Sequence, residues 1–125
     1  MSNWISMHDS GTTQAALVAL NGALSYENCA AFRTYMQHFI AKSAQGIIAM
    51  DVANITYMDA AGIAVFIEIY QWCLRKNAQY IIVRPSATFR LFLTVYLMQD
   101  VFVIKESLEE VISSGTQREH ALCAA

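Results

Sequence analysis

The sequence predicts an α/β fold: one domain built on a mostly parallel sheet of four or five strands, with an N-terminal antiparallel strand and about four crossover helices. Three observations predict it. Short apolar runs of the buried-strand type recur, "IIAMDV" (47–52), "YIIV" (80–83) and "VFVI" (101–104). Segments with helical periodicity separate them. The links are short, and strand–helix alternation with short links is the pattern of parallel strands joined by crossovers.

Taken in order, Trp4–Met7 reads as a short edge strand, and "HDSGTT" (8–13) as a polar turn. Leu17, Val18 and Leu20 are strand material. Asn21-Gly22 has the form of a hairpin signal, but a helix entry follows it better. Ser25 is the expected N-cap of a helix over Tyr26–Ile40, with Phe32, Met36, Phe39 and Ile40 on one face. Gly46 breaks the chain before "IIAMDV", and a loop then leads to a second helix from about Ala60 to Lys76. "YIIV" is the next strand. Pro85-Ser86 opens a third helix to about Leu97, proline suiting a helix start and serine a cap. "VFVI" closes the sheet, and Ser107–Ser114 is a short amphipathic helix. Residues 1–115 are the domain, and 116–125 read as a mobile C-terminal tail.

Composition narrows the function classes. The chain has 125 residues, 56% of them hydrophobic and 14% charged, enough for one proper core. Its net charge is −2 with no basic block, which argues against nucleic acid as partner. The longest apolar stretch, Ala60–Leu74, is interrupted by Glu68 and too short for membrane insertion. The N-terminus carries no secretory pattern. Cys29, Cys73 and Cys123 match neither a zinc motif nor a disulfide framework, so a cytoplasmic location is expected, with Cys29 and Cys73 as buried apolar residues.

The chemistry that open α/β folds carry sits beyond strand ends. Here that junction is "ITYMDAAGIAVF" (55–66), and its centre is Ala60-Ala61. Glycine-rich phosphate cradles are absent, so no cofactor is expected. His8, His38 and His120 are too scattered to assemble a catalytic pair. Asp51 and Asp59 flank the junction and have the oxygen ligands magnesium favours, but no third acidic ligand accompanies them. Asp59 is better read as a helix N-cap accepting N–H groups at 61 or 62, with Gly62 permitting close backbone approach. No metal site is expected.

On a helix advancing about 100° per residue, Ile63, Phe66, Ile67, Tyr70 and Leu74 cluster as a core face. Val65, Ile69 and Trp72 fall on the opposite arc. That stripe is buried by adjacent helices, or a scatter of exposed apolar residues, or a partner surface; an exposed tryptophan there would suit an interface. The third helix repeats the pattern, with Phe89, Phe92, Leu93 and Tyr96 inward and Leu91, Val95 and Met98 outward. Two such helices suggest docking or a homodimer.

"DVANITYMDAAGIAVFIEIYQWC" resembles the signature of the STAS domain, the fold of bacterial anti-sigma factor antagonists, in which a strand leads to an Asp-Ser-Ser-Gly loop and a helix. "VALNGALSYENCAAF", "YIIVRPSATFRLFL" and "VFVI" resemble the family's other segments, in order and at matching spacing. The resemblance implies a protein-binding switch and not an enzyme. Its partner would be an anti-sigma factor that is also a serine kinase of the GHKL type, and its role regulation of transcription. Partner contacts are expected at Asp59, Ala60, Ala61 and Gly62, extended by Val65, Ile69 and Trp72. In the family the second serine of the loop is phosphorylated, and Ala61 holds that position here, with Ala60 beside it and Ser25 where an acidic residue is common. The loop therefore belongs to a constitutively binding antagonist, to a STAS module of another system, or to a chain whose serine was replaced. The alternative within the fold is the STAS subunit of a lipid-transporting ABC system, docking on its ATPase, or part of a larger STAS assembly. The loop there reads Asp-Thr-Ala-Gly, one residue from Asp59-Ala60-Ala61-Gly62.

Overall fold

A computed structural model describes residues 5–11, 14–107 and 109–111. The elements are β1 (Ile5–Gly11), β2 (Ala15–Leu24), α1 (Cys29–Lys42), β3 (Ile47–Met58), α2 (Ala60–Arg75), β4 (Gln79–Val83), α3 (Ala87–Val95) and β5 (Val103–Lys105). They form one five-stranded sheet in the order β1-β2-β3-β4-β5. β1 pairs antiparallel with β2, and each later pairing is parallel. The predicted mixed sheet is what forms. Glu109–Val111 are helical and Ser107, the expected start of the last helix, is a bend; residues 108 and 112–114 of that helix lie outside the described residues, with the 116–125 tail, Trp4, His120 and Cys123.

Strand periodicity divides the core into two clusters. Ile48, Met50 and Val52 of β3, with Tyr80 and Ile82 of β4, share one cluster with the buried residues of α1, α2 and α3. The alternate positions Ile47, Ala49, Ile81 and Val83 form the other, with Ala15 and Val111. Both faces of the central strands are therefore covered. That is why "IIAMDV" and "YIIV" run apolar without alternating.

Several boundaries differ from the sequence reading, each for a local reason. β1 continues to Gly11 because it pairs with β2 along its whole length, from Ile5↔Gly22 to Gly11↔Ala16. Asn21-Gly22 makes no hairpin. It lies inside β2, where the β2–β3 register shifts on both sides of the pair and Gly22 takes φ +112°. The glycine serves an irregularity in the strand, not a turn. Ser25 is not the cap of α1: Ser25–Asn28 form a turn, and Asn28 is the N-cap. β3 runs on past the expected strand 47–52 to Met58, paired only with β2 past Asp51. Ser86 covers β3's other edge there, its backbone N–H donating to the Val52 carbonyl (3.4 Å) and its hydroxyl to the Ile55 carbonyl (3.0 Å). The same hydroxyl accepts the Phe89 N–H (3.0 Å), the predicted cap of α3.

α1 and α2 lie side by side and run parallel. Phe32 packs on Phe66 with ring centroids 5.8 Å apart. Further along, Arg33 bridges Glu68 at 2.9 Å and sits 5.8 Å from the Trp72 ring centroid. At the far end the Lys76 ammonium donates to the carbonyls of Ile40, Ala41 and Ser43. A cation on the last carbonyls of α1 satisfies groups the helix leaves unpaired and complements its dipole.

Candidate functional site

The junction between β3 and α2 is built around one carboxylate. Asp59 is the N-cap of α2 in extended backbone conformation, and its Oδ1 accepts the Gly62 N–H at 3.1 Å. This is the predicted cap, at the second of its two expected positions. Its Oδ2 accepts the backbone N–H of Tyr26 at 2.9 Å, 33 residues earlier. Its own N–H donates to the Leu24 carbonyl at 3.2 Å. Asp59 therefore ties the entrance of α2 to the end of β2 and to the turn before α1.

Gly62 completes the join. A Cβ there would lie 2.9 Å from Met58 Cγ and 3.0 Å from both Leu24 Cγ and the Leu24 carbonyl oxygen. The residue is buried. Its role is to let α2 seat against the ends of β2 and β3, so the expectation that Gly62 faces a partner is corrected. Ala60 is exposed, Ala61 half-buried and Ala64 exposed. Neither alanine at 60–61 brings a hydroxyl.

The proposed outer stripe of α2 is also corrected. Val65 is 4% exposed and Ile69 fully buried, both in the main core. Trp72 is half-buried, packed against that core and lining a small recess with Gln37, Ile40 and Ala41 of α1. The reason is architectural: α1 lies parallel beside α2, so α2 buries one arc on the sheet and a second on its neighbour. Leu74, expected inward, is 57% exposed at the helix end. On α3 the expected outward residues Leu91 and Val95 are 59% and 60% exposed, whereas Met98 packs against the core.

Tyr26, 75% exposed, was not singled out by sequence reasoning. A tyrosine at the presumed first position of a helix carries no signal. Only the tie to Asp59 brings its backbone to the entrance of α2. Ser25 is buried, with no partner for its hydroxyl among the described residues.

The remaining candidate groups are committed elsewhere. Asp51 is buried and paired with Arg84, and its Oδ1 accepts the Ala53 N–H at 3.1 Å. With Asp59 engaged by two backbone N–H groups, neither carboxylate is a free oxygen ligand. Cys29 and Cys73 are free and buried, as expected. Burial pushes the Cys73 thiol up to about 12. Burial and the Asp59 carboxylate push the Cys29 thiol to about 11. His8 and His38 are exposed. A cleft of about 510 Å³, lined by Asp9, Tyr35, His38 and Lys42 among others, lies along β1 and the C-terminal half of α1, away from the Asp59 junction at the start of that helix. Among the described residues no helix is long and apolar enough to cross a membrane.

The STAS domain family model matches residues 7–111. Among solved structures, an anti-sigma factor antagonist from Mycobacterium paratuberculosis aligns at a TM-score of 0.78 and 12% identity, over 90% of this chain and 95% of its own. The anti-sigma factor antagonist SpoIIAA of Bacillus, in its unphosphorylated form, aligns at 0.72 and 17% identity, over 87% and 95%. A STAS-sized portion of SLC26A9 aligns at 0.66 and 10% identity, over 83% of this chain but 20% of that one. At such identities the structural likeness is one of fold. The family match covers nearly all of the described residues, and on it the chain belongs to the STAS domain family.

Proposed function

We propose that this chain is an anti-sigma factor antagonist, or a close relative, which regulates transcription from the cytoplasm by binding an anti-sigma factor kinase of the GHKL type. It is a binding protein and not an enzyme. It binds through the entrance of α2, where Ala60 and Ala61 give a flat surface shaped from beneath by Asp59 and Gly62. The observation that carries the reading is that this entrance is fully built without a hydroxyl: Asp59 caps α2, and Gly62 seats it on Leu24. A phosphoryl group would add close to two negative charges at this helix start, beside the Asp59 carboxylate. Ala61 has no oxygen to accept one, so binding here is constitutive.

The test uses the purified GHKL-type anti-sigma factor kinase of the source organism, each being tried where the genome encodes several. The wild-type chain should bind it and take up no phosphate from ATP. Ala61→Ser should bind, become labelled at residue 61, and release the kinase once labelled. Absence of binding by the wild-type chain defeats the reading. Stoichiometric labelling of the wild-type chain at another residue defeats its constitutive form.

A second reading is favoured by one observation, that a portion of SLC26A9 aligns with this fold as 20% of its chain. In that reading the chain serves as a docking unit of a larger assembly, such as the ATPase complex of a lipid-transporting ABC system.

A further inference from the structure

We propose that the Ser25–Asn28 turn is the second half of the partner-binding surface and that Tyr26 is its anchor, received by an apolar pocket of the partner protein with a cationic group opposite Glu27. This rests on the protein-binding reading above and names the chemistry that reading needs on the other side.

The case begins with what the α2 surface lacks. Ala60 and Ala64 offer little area, and the larger apolar residues Val65 and Ile69 are buried. Interfaces draw most of their affinity from a few large, well-placed side chains, tyrosine prominent among them. Tyr26 has those properties. Its side chain is 75% exposed while its backbone N–H is held at 2.9 Å by Asp59, the residue that also caps α2. The turn is fixed from its other end too. Asn28 Oδ1 accepts the Ser25 N–H at 3.0 Å, and Asn28 Nδ2 donates to the Ala23 carbonyl at 2.7 Å. A rigid backbone carrying an exposed tyrosine loses little conformational entropy on binding.

Competing anchors are weaker. Tyr57 is 46% exposed but rests edge-on against Phe92, centroids 5.7 Å apart. Leu74 lies at the far end of α2, and Leu91, Val95 and Leu97 lie on α3 or just past it; among the described residues none of these is hydrogen-bonded to Asp59, as Tyr26 is. Beside Tyr26, Glu27 is exposed and outside the three ion pairs seen among the described residues. An uncommitted carboxylate next to an aromatic anchor suits a partner pocket rimmed by lysine or arginine.

The experiment measures the Kd of the purified GHKL-type anti-sigma factor kinase of the source organism for four variants, each checked for wild-type circular dichroism and thermal midpoint. Tyr26→Ala should weaken binding by roughly tenfold or more. Tyr26→Phe should retain most of the affinity. Glu27→Lys should weaken it, with an effect that shrinks as salt rises. Ala60→Arg tests the parent reading and should abolish binding. If Ala60→Arg abolishes binding while Tyr26→Ala stays within about twofold, the inference is overturned and the parent reading stands. If neither changes the Kd, or the wild-type chain does not bind, both fall. If Tyr26→Ala weakens binding and Glu27→Lys does not, the cationic rim is wrong.

Discussion

Gly62→Ala isolates the contact that seats α2. In an exposed helix interior this exchange stabilises by about 1 kcal/mol, since alanine loses less backbone freedom than glycine. Gly62 is in the first turn of α2, and its φ is not in the left-handed region, so that gain is available in principle. Space decides against it. The new methyl would meet Met58 Cγ at 2.9 Å, Leu24 Cγ at 3.0 Å and the Leu24 carbonyl oxygen at 3.0 Å. Two of those atoms sit at the branch or middle of fully buried side chains, and the third is backbone. None can swing aside as a flexible chain end could.

Overpacking of this kind costs about 1–3 kcal/mol. Set against the propensity gain, the expected net loss is about 1 kcal/mol and at most ~2. For a domain of this size that lowers the thermal midpoint by roughly 4 °C per kcal/mol. Urea denaturation with a wild-type m-value reads the energy directly. The Asp59 N–H bond to the Leu24 carbonyl, already 3.2 Å, should lengthen, and amide exchange at Asp59 should quicken. A Gly62→Ala protein at least as stable as wild type, with unchanged exchange at Asp59, would refute the close-approach role.

Asp59→Ala removes the cap on Gly62 and the tie to Tyr26 together, for an expected cost of about 1–2 kcal/mol; unchanged exchange protection at the Tyr26 amide would contradict the tie. Ile69→Ala, at a fully buried site, should cost about 2–5 kcal/mol in urea denaturation while leaving the Kd of the folded fraction for the proposed kinase partner unchanged; a loss of affinity without loss of stability would restore the partner-surface reading of that position. Alkali should destabilise the fold. Cys29 and Cys73 have an ordinary value of 9.0 and are pushed to about 11 and about 12. Above pH 9 the unfolded chain therefore gives up protons that the folded chain keeps, and stability falls from pH 9 towards 12. A urea midpoint that stays flat between pH 8 and 10.5 would contradict this.

Most of the fold is legible because covered parallel strands announce themselves. Ile47–Met50 and Tyr80–Val83 are apolar on both faces, and both faces are buried. The Asp59 cap was legible for the same kind of reason, since it depends on residues 59–62 alone. Features that depend on pairing between distant segments were not. A 100° wheel sorts the residues of α2 into arcs but does not count neighbours. Its second apolar arc, Val65 and Ile69, is core because α1 happens to lie parallel beside it, joined through Phe32, Arg33 and Lys76. β3 likewise continues through Ala53–Met58 because β2 reaches that far to pair with it, which 53–58 alone does not reveal.

The same distinction explains why the proposed binding surface differs from the one expected. The family resemblance placed it at Asp59–Gly62 and periodicity extended it along α2, but the structure leaves only small residues exposed at the start of that helix. What lies beside them comes from 33 residues earlier, through a hydrogen bond between the Tyr26 N–H and Asp59. A capping aspartate that used both oxygens within its own helix would fix only that helix. Asp59 gives one oxygen to Gly62 and the other to Tyr26, so the shape of the α2 entrance and the position of the turn are set together. The alanine at residue 61 takes no part in this arrangement, because neither bond involves that side chain. The geometry of the α2 entrance is therefore independent of whether residue 61 carries a hydroxyl.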